Sequence, residues 1–390
     1  MSPSSQPAAL ELRSEPDASS RLPDLARRIP ELDGFRAIAV WSVVISHAFY
    51  GWNNTKQIAE RFPHWLQFIL QHGWLGVDLF FVLSGFLITG ILLDSREHPA
   101  YFRNFYIRRS LRILPLYFCC IAVMSLAYPA NGSYFLISIF FLANLARMFG
   151  VPIPHGPGVF WSLAVEEHFY LLWPVLNRFL RRQMFVLLAI SLVVLTPAAR
   201  IVFTARGLNT HEQVYLYSWF RFDGLALGAL LAMWVRTSYC SRRRTLLLSA
   251  GLLGACLLIT IAGLPFHIMS SGTPAGSGLR STQAQFLFTA AIAASLAFQG
   301  HWLTSILRSS FMRLSGDLSY CIYLVHLSVG DAYDPMIRRL NINVDAHIGQ
   351  TWAMICKMIF LVVVSFGIAA ISKRWLEGPF LRLKRHFEFR

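Results

Sequence analysis

Trp74-Leu-Gly-Val-Asp-Leu-Phe-Phe-Val-Leu-Ser-Gly-Phe-Leu-Ile-Thr-Gly-Ile-Leu-Leu93 contains a single ionisable residue, Asp78. A helix of this length rises about 30 Å, the thickness of a bilayer's hydrocarbon core. One such run makes a candidate membrane span. Ten more apolar runs accompany it: Ala37–Tyr50, Leu111–Tyr128, Tyr134–Phe149, Phe160–Leu176, Met184–Phe203, Val214–Val235, Leu246–Leu264, Gln283–Phe298, Phe311–Val329 and Trp352–Ile371. Composition agrees. Apolar residues make up 55% of the 390 residues and charged residues 14%, against about 25% charged in a soluble globule. So little charge cannot cover a water-facing surface, and lipid must be the solvent. The fold expected is all-α, a polytopic transmembrane helix bundle.

The formal net charge of +15 raises the question of nucleic acid. Its distribution answers it, because Arg and Lys cluster between apolar runs, where the positive-inside rule puts them. The clusters are Arg27/Arg28, Arg103/Arg108/Arg109/Arg112, Arg178/Arg181/Arg182, Arg236/Arg242/Arg243/Arg244, Arg308/Arg313 and Lys373/Arg374/Arg382/Lys384/Arg385. All should be cytoplasmic, yet three runs separate the second cluster from the third. One of the three must fail to cross, and the short Tyr134–Phe149 run, ending at Asn144 and Arg147, is the one expected to be re-entrant or partial. About ten spans with both termini cytoplasmic follow. The Arg pair at 338–339 falls on the outer side in this scheme, against the rule. Residues 1–30, rich in Ser, Pro, Glu and Arg without an apolar core, read as a disordered cytoplasmic tail rather than a signal peptide. Residues 31–380 form the membrane domain, and 381–390 a basic cytoplasmic tail. The His267–Thr282 and Gly330–Gln350 gaps read as loops. The six cysteines form no Cys-x-x-Cys pair, so neither a zinc site nor a redox site is supported.

An ionisable residue at membrane depth is costly and marks a functional hypothesis. Candidates are His47, Asp78, Glu166, Glu167, His168, Asp223 and His326. The bland alternative for each is a buried pair that ties helices together. Arg36 and His47 are eleven residues apart, so they share a helical face about 16 Å apart along the axis. Arg36 belongs at the membrane edge and His47 well inside, where burial favours the neutral ring that can act as a general base. Asp78 needs a partner, for which Arg36 or His47 is available. Ser84 lacks a nucleophile-elbow setting and reads as a packing residue. Arg109 and Arg112 share a face at a helix start and could grip phosphates, although positive-inside charge explains them equally well. Glu166 and Glu167 point about 100° apart on a helix; one can meet a cavity while the other pairs with an arginine. Tyr170 can flank either.

At Leu32-Asp-Gly-Phe-Arg36 with His47, Gly76–Ile88, Arg108–Pro115, Trp161–Tyr170 and Leu318–His326 the sequence resembles the membrane acyltransferase-3 family. The stretches occur in family order, and the resemblance covers about residues 30 to 380. It implies an inner-membrane, multi-pass enzyme that moves an acyl group, usually acetyl, from acyl-CoA to a hydroxyl of a carbohydrate or glycolipid acceptor, with no metal. The family's Arg-x10-His pair falls on Arg36 and His47, and its Arg-x-x-Arg motif on Arg109 and Arg112. Ala37 stands where glycine is common and His168 where glutamine is usual. Some relatives add a C-terminal extracytoplasmic hydrolase-like domain. This sequence ends at Arg390, so the membrane domain is expected to complete transfer or hand it to a separate partner.

The expected site therefore has His47 as base, with Asp33 or Glu166 orienting or charging its imidazole, and Arg36 beside them. Arg108, Arg109 and Arg112 hold the phosphates of acetyl-CoA or another acyl-CoA. Asp78, Glu167, Tyr170 and His326 face the acceptor. An acyl-histidine intermediate is the covalent variant. A transporter of acyl groups or lipid-linked glycans, without turnover, is the rival from another class; internal repeats would favour it, and none is visible.

Overall fold

The computed structural model of the chain describes residues 28–51, 60, 62–270, 272–339 and 344–388. The tail expected over 1–30 lies outside the described residues up to position 27. The described residues form helices and turns without a strand. In chain order the α-helices are α1 (Pro30–Tyr50), α2 (His64–Gln71), α3 (Gly76–Asp94), α4 (Tyr101–Ala127), α5 (Gly132–Ile139), α6 (Phe160–Phe179), α7 (Arg182–Ala205), α8 (His211–Leu216), α9 (Phe222–Trp234), α10 (Arg242–Gly263), α11 (Pro274–Ala297), α12 (Ser310–Arg339), α13 (Val344–Ser372) and α14 (Gly378–Leu383).

Among the described residues, six helical stretches are long and apolar enough to cross a membrane: Pro30–Tyr50, His64–Asp94, Tyr101–Ala127, Arg182–Ala205, Arg242–Phe266 and Ile355–Phe387. Phe222–Trp234 is apolar but shorter. The helices α6, α11 and α12 have 20, 24 and 30 residues but carry more polar side chains. The Tyr134–Phe149 run does not form a span. Only Gly132–Ile139 is α-helical, about 12 Å of rise, and the chain then turns at Phe141, whose φ is 57°.

Both expected loops are mostly helical instead. The stretch after His267 becomes helix at Pro274, capped by the Thr273 hydroxyl accepting from the Gly276 amide at 3.0 Å. The stretch after Gly330 continues α12 to Arg339. Asp334 there meets Lys357 of α13 at 2.9 Å, so this charge has a partner across the helix pair. The expected basic tail is also partly helical: α14 leads into a 3-10 turn, Lys384–Phe387.

Two contacts position the site. The α3 and α9 backbones touch through reciprocal glycines. A Cβ on Gly85 would lie 1.9 Å from the Leu225 carbonyl oxygen, and one on Gly228 would lie 2.0 Å from that of Val82. Small residues allow this approach, and in lipid close packing is a main source of helix association. The helices α1 and α12 run side by side in the same direction. Gly316 abuts the Asp33 carbonyl at one end, and His326 meets His47 further along.

Candidate active site

The helices α1 and α12 carry the central pair. His47 Nδ1 and His326 Nε2 are 2.8 Å apart, with the rings stacked at a 5.1 Å centroid distance. His326 is fully buried. Its Nδ1 lies 2.7 Å from the Tyr323 carbonyl oxygen. A carbonyl can only accept, so Nδ1 of His326 carries the hydrogen and its Nε2, in the neutral ring, keeps a lone pair. His47 must then donate from Nδ1, which leaves the lone pair of His47 on Nε2. One backbone carbonyl thus sets the tautomer of both rings, and the free base is on His47.

The partner of His47 is therefore His326. Neither Asp33 nor Glu166 takes that part, and the expectation for both is corrected. Asp33 is fourteen residues from His47 on α1, about 21 Å along the axis. It accepts from Arg28 at 2.8 Å and from Arg36 at 3.0 Å, an arrangement that anchors the start of α1. Glu166 instead accepts from the Tyr170 hydroxyl at 2.7 Å. That hydroxyl spends its one hydrogen on Glu166, so the Ser84 hydroxyl must donate to Tyr170 Oη. Ser84 is thus hydrogen-bonded as well as packed. The helix α6 is registered on α3 by Trp173 Nε1 donating to Thr89 at 2.8 Å and Asn177 donating to the Leu92 carbonyl at 3.1 Å. This brings the Glu166–Tyr170 edge to Ser84.

Around this relay lies a cavity of about 110 Å³, reached from α1, α3, α4, α6 and α12 and lined by Arg36, Ser84, Arg109, Arg112, Glu166, Tyr170 and Tyr323 among others. Arg109 rests 4.5 Å over the Tyr170 ring. A second cavity of about 140 Å³ adjoins it, sharing Arg36, Leu87, Arg109 and Arg112 and adding Arg108 and Lys384. Among the described residues, five basic side chains and no carboxylate line it. Lys384, expected in a free tail, is the one that sequence reasoning missed.

Towards the other end of α1 is a cavity of about 460 Å³, lined by His47, Trp74, His211, Glu212, Tyr215, Arg280 and the first turn of α11. A buried ionic wall flanks it. Arg221 pairs with Asp78 at 2.8 Å and Arg200 with Asp223 at 2.6 Å. Gln285 donates to Asp78 at 2.8 Å and Thr282 to Asp223 at 3.1 Å. All four charged residues are 0–1% exposed. The partner of Asp78 is thus Arg221, not Arg36 or His47, and a carboxylate so engaged lines none of the three cavities. Its placement as an acceptor-facing group is corrected to a structural one. Glu167 lines none of them either, and its Oε1 has no hydrogen-bond partner among the described residues. His168 bonds Ser218 at 2.6 Å. The guanidinium of Arg221 also sits over Phe81, Trp161 and Tyr215, an aromatic partition between the two ends.

The histidine pair bridges that partition. His47 lines the large cavity, and His326 hydrogen-bonds the backbone of Tyr323, whose side chain lines the small one. This constellation coincides with a match over residues 29–373 to the family model described as an acyltransferase domain. The chain belongs to the acyltransferase-3 family. It is similar to the peptidoglycan O-acetyltransferase OatA of Listeria monocytogenes, with 27% identity over 90% of this chain and 55% of the relative. It is also similar to the Bacillus subtilis protein named "Putative peptidoglycan O-acetyltransferase YrhL", with 30% identity and the same coverage. The chain thus spans about half the length of the curated relatives it matches. No solved structure matches it.

Proposed function

We propose that the protein is an integral-membrane O-acyltransferase that moves an acyl group, most simply acetyl, from acyl-CoA to a carbohydrate hydroxyl. The observation that carries this reading is the His47–His326 pair lying between a strongly basic cavity and a larger cavity at the other end of the bundle. The names of the relatives support the reaction class. By the distribution of Arg and Lys the basic end is cytoplasmic, as are both termini, in a bundle of about ten spans in the cell's inner membrane.

In this reading Arg108, Arg109, Arg112 and Lys384 hold the donor's phosphates, and Arg36, fixed by Asp33, closes the entrance. The pantetheine arm runs past Ser84, Tyr170 and Glu166 towards Tyr323. The acceptor hydroxyl enters the large cavity beside His47. Nε2 of His47 takes the hydroxyl proton as the oxygen attacks the thioester carbon; a C–O bond forms, the C–S bond breaks, and the proton passes to the departing sulfur. His326 touches neither reactant and acts as a positioning residue for His47.

The test is full-length protein in liposomes with acetyl-CoA radiolabelled in the acetyl group and an oligosaccharide acceptor. Label should move to the acceptor with one CoA released per transfer, and His47→Ala should abolish it while the protein remains inserted. Transfer at the wild-type rate in that variant overturns the reading.

A further inference from the structure

We propose that the large cavity holds an oxyanion subsite built on Arg280, so that the preferred acceptor is a glycan bearing a carboxylate or phosphate rather than a neutral one. The proposal rests on the acyltransferase reading and names its acceptor class. The charges facing the cavity decide it. Arg200 is neutralised by Asp223 and Arg221 by Asp78. Glu212 is paired with Arg147 at 2.9 Å, and His211 is bonded to Ser277. Arg280 alone among the lining charges has no ion pair or hydrogen bond with the described residues; its guanidinium lies 4.5 Å over the Trp74 ring. Among the described residues the cavity therefore carries one uncompensated positive charge.

A guanidinium seated over an indole face, with no hydrogen bond of its own among the described residues, has its N–H fork available, and that fork matches a carboxylate or phosphate. The first turn of α11, Gly276 and Ser277, lines the same cavity, and the positive end of its dipole adds to the field. Position ties the subsite to the chemistry. A Cβ on Gly73 would lie 2.2 Å from the Ser42 carbonyl oxygen and 2.8 Å from Ser46 Cβ. Gly73, the neighbour of Trp74, is thus pressed against α1 within one turn of His47. An oxyanion on Arg280 would leave the rest of a sugar chain over Trp74 and Tyr215 with a hydroxyl at His47. At about 460 Å³ the cavity falls within the usual ligand-pocket range of roughly 300–1,000 Å³.

The experiment uses full-length protein in liposomes and three acceptors: a neutral N-acetylglucosamine oligosaccharide, the same length with one uronate, and the neutral chain on a polyprenyl diphosphate. Binding is read without donor by tryptophan fluorescence, and transfer by CoA release. The expected result is binding about tenfold or more tighter for one charged acceptor than for the neutral one. Which charged acceptor gains identifies the source of the oxyanion. Arg280→Gln should remove the preference, and Arg280→Lys should keep part of it. Equal binding of all three by the wild-type protein, or an undiminished preference in Arg280→Gln, overturns the proposal. Absence of CoA release with every acceptor, alongside the expected binding preference, instead overturns the acyltransferase reading and leaves the anion subsite standing.

Discussion

Replacing His326 isolates what the second imidazole does. His326→Leu removes the acceptor for His47 Nδ1–H while retaining an apolar side chain in a fully buried position. The lost hydrogen bond is worth about 0.5–1.5 kcal/mol net. At 1.36 kcal/mol per tenfold, the reactive tautomer of His47 falls by about 2- to 13-fold, and the ring also loses its fixed orientation. The kcat of His326→Leu should therefore drop by about tenfold or somewhat more, with the KM for acyl-CoA nearly unchanged. His47→Ala removes the proposed base and should cost about 10²–10⁴-fold. His326→Gln is the diagnostic variant, because its amide oxygen can accept from His47 Nδ1 and should restore part of the rate. The assay is steady-state CoA release in liposomes, with insertion checked by protease accessibility. Equal losses in the Leu and Gln variants, or a loss confined to KM, would refute the argument that one carbonyl sets the tautomers of both rings.

Arg112→Ala should raise the KM for acyl-CoA several-fold more than it lowers kcat, as read from the same release assay at varied donor. Asp78→Asn leaves Arg221 buried without its counter-charge and should destabilise the bundle by about 3–5 kcal/mol, seen as earlier denaturation in detergent. Gly85→Val would drive a Cβ into the Leu225 carbonyl and should sharply reduce the yield of folded protein, whereas substitution at Gly132, which has open space around it, should not. The loop residue His155 is held above the usual imidazole range by its hydrogen bond to Asp331. That pair stabilises most below about pH 6.5 and fades as pH rises through the raised value. The pH dependence of the melting temperature should flatten on that flank in Asp331→Asn.

Much of the bundle was legible because apolar length is a direct consequence of membrane thickness. The shared face of Arg36 and His47 followed from helical periodicity alone. What periodicity cannot supply is partnership across the chain. Asp78 and Asp223 stood out as intramembrane carboxylates, but their counter-ions Arg221 and Arg200 were passed over although each sits in an apolar run. The pair Arg221-Phe-Asp223 was a usable signal: two opposite charges inside one short span demand partners elsewhere. His326 was visible as an intramembrane histidine, but nothing in spacing said that it meets His47, 279 residues earlier. The far end of α12 was missed for the same reason. Polar residues end a helix only where no neighbour receives them, and Lys357 receives Asp334.

The ionic wall also has a timetable. Asp78 enters the membrane on α3, and its counter-ion Arg221 is made 143 residues later. At about 5–20 residues per second, synthesis leaves that carboxylate waiting for roughly 7–30 seconds. Nascent chains interrupted before Arg221 would be left with an orphaned acid in α3, a mark by which quality control could recognise an unfinished protein. Assembly of this bundle is thus committed late, when Arg221, at the start of α9, arrives to meet Asp78 on α3.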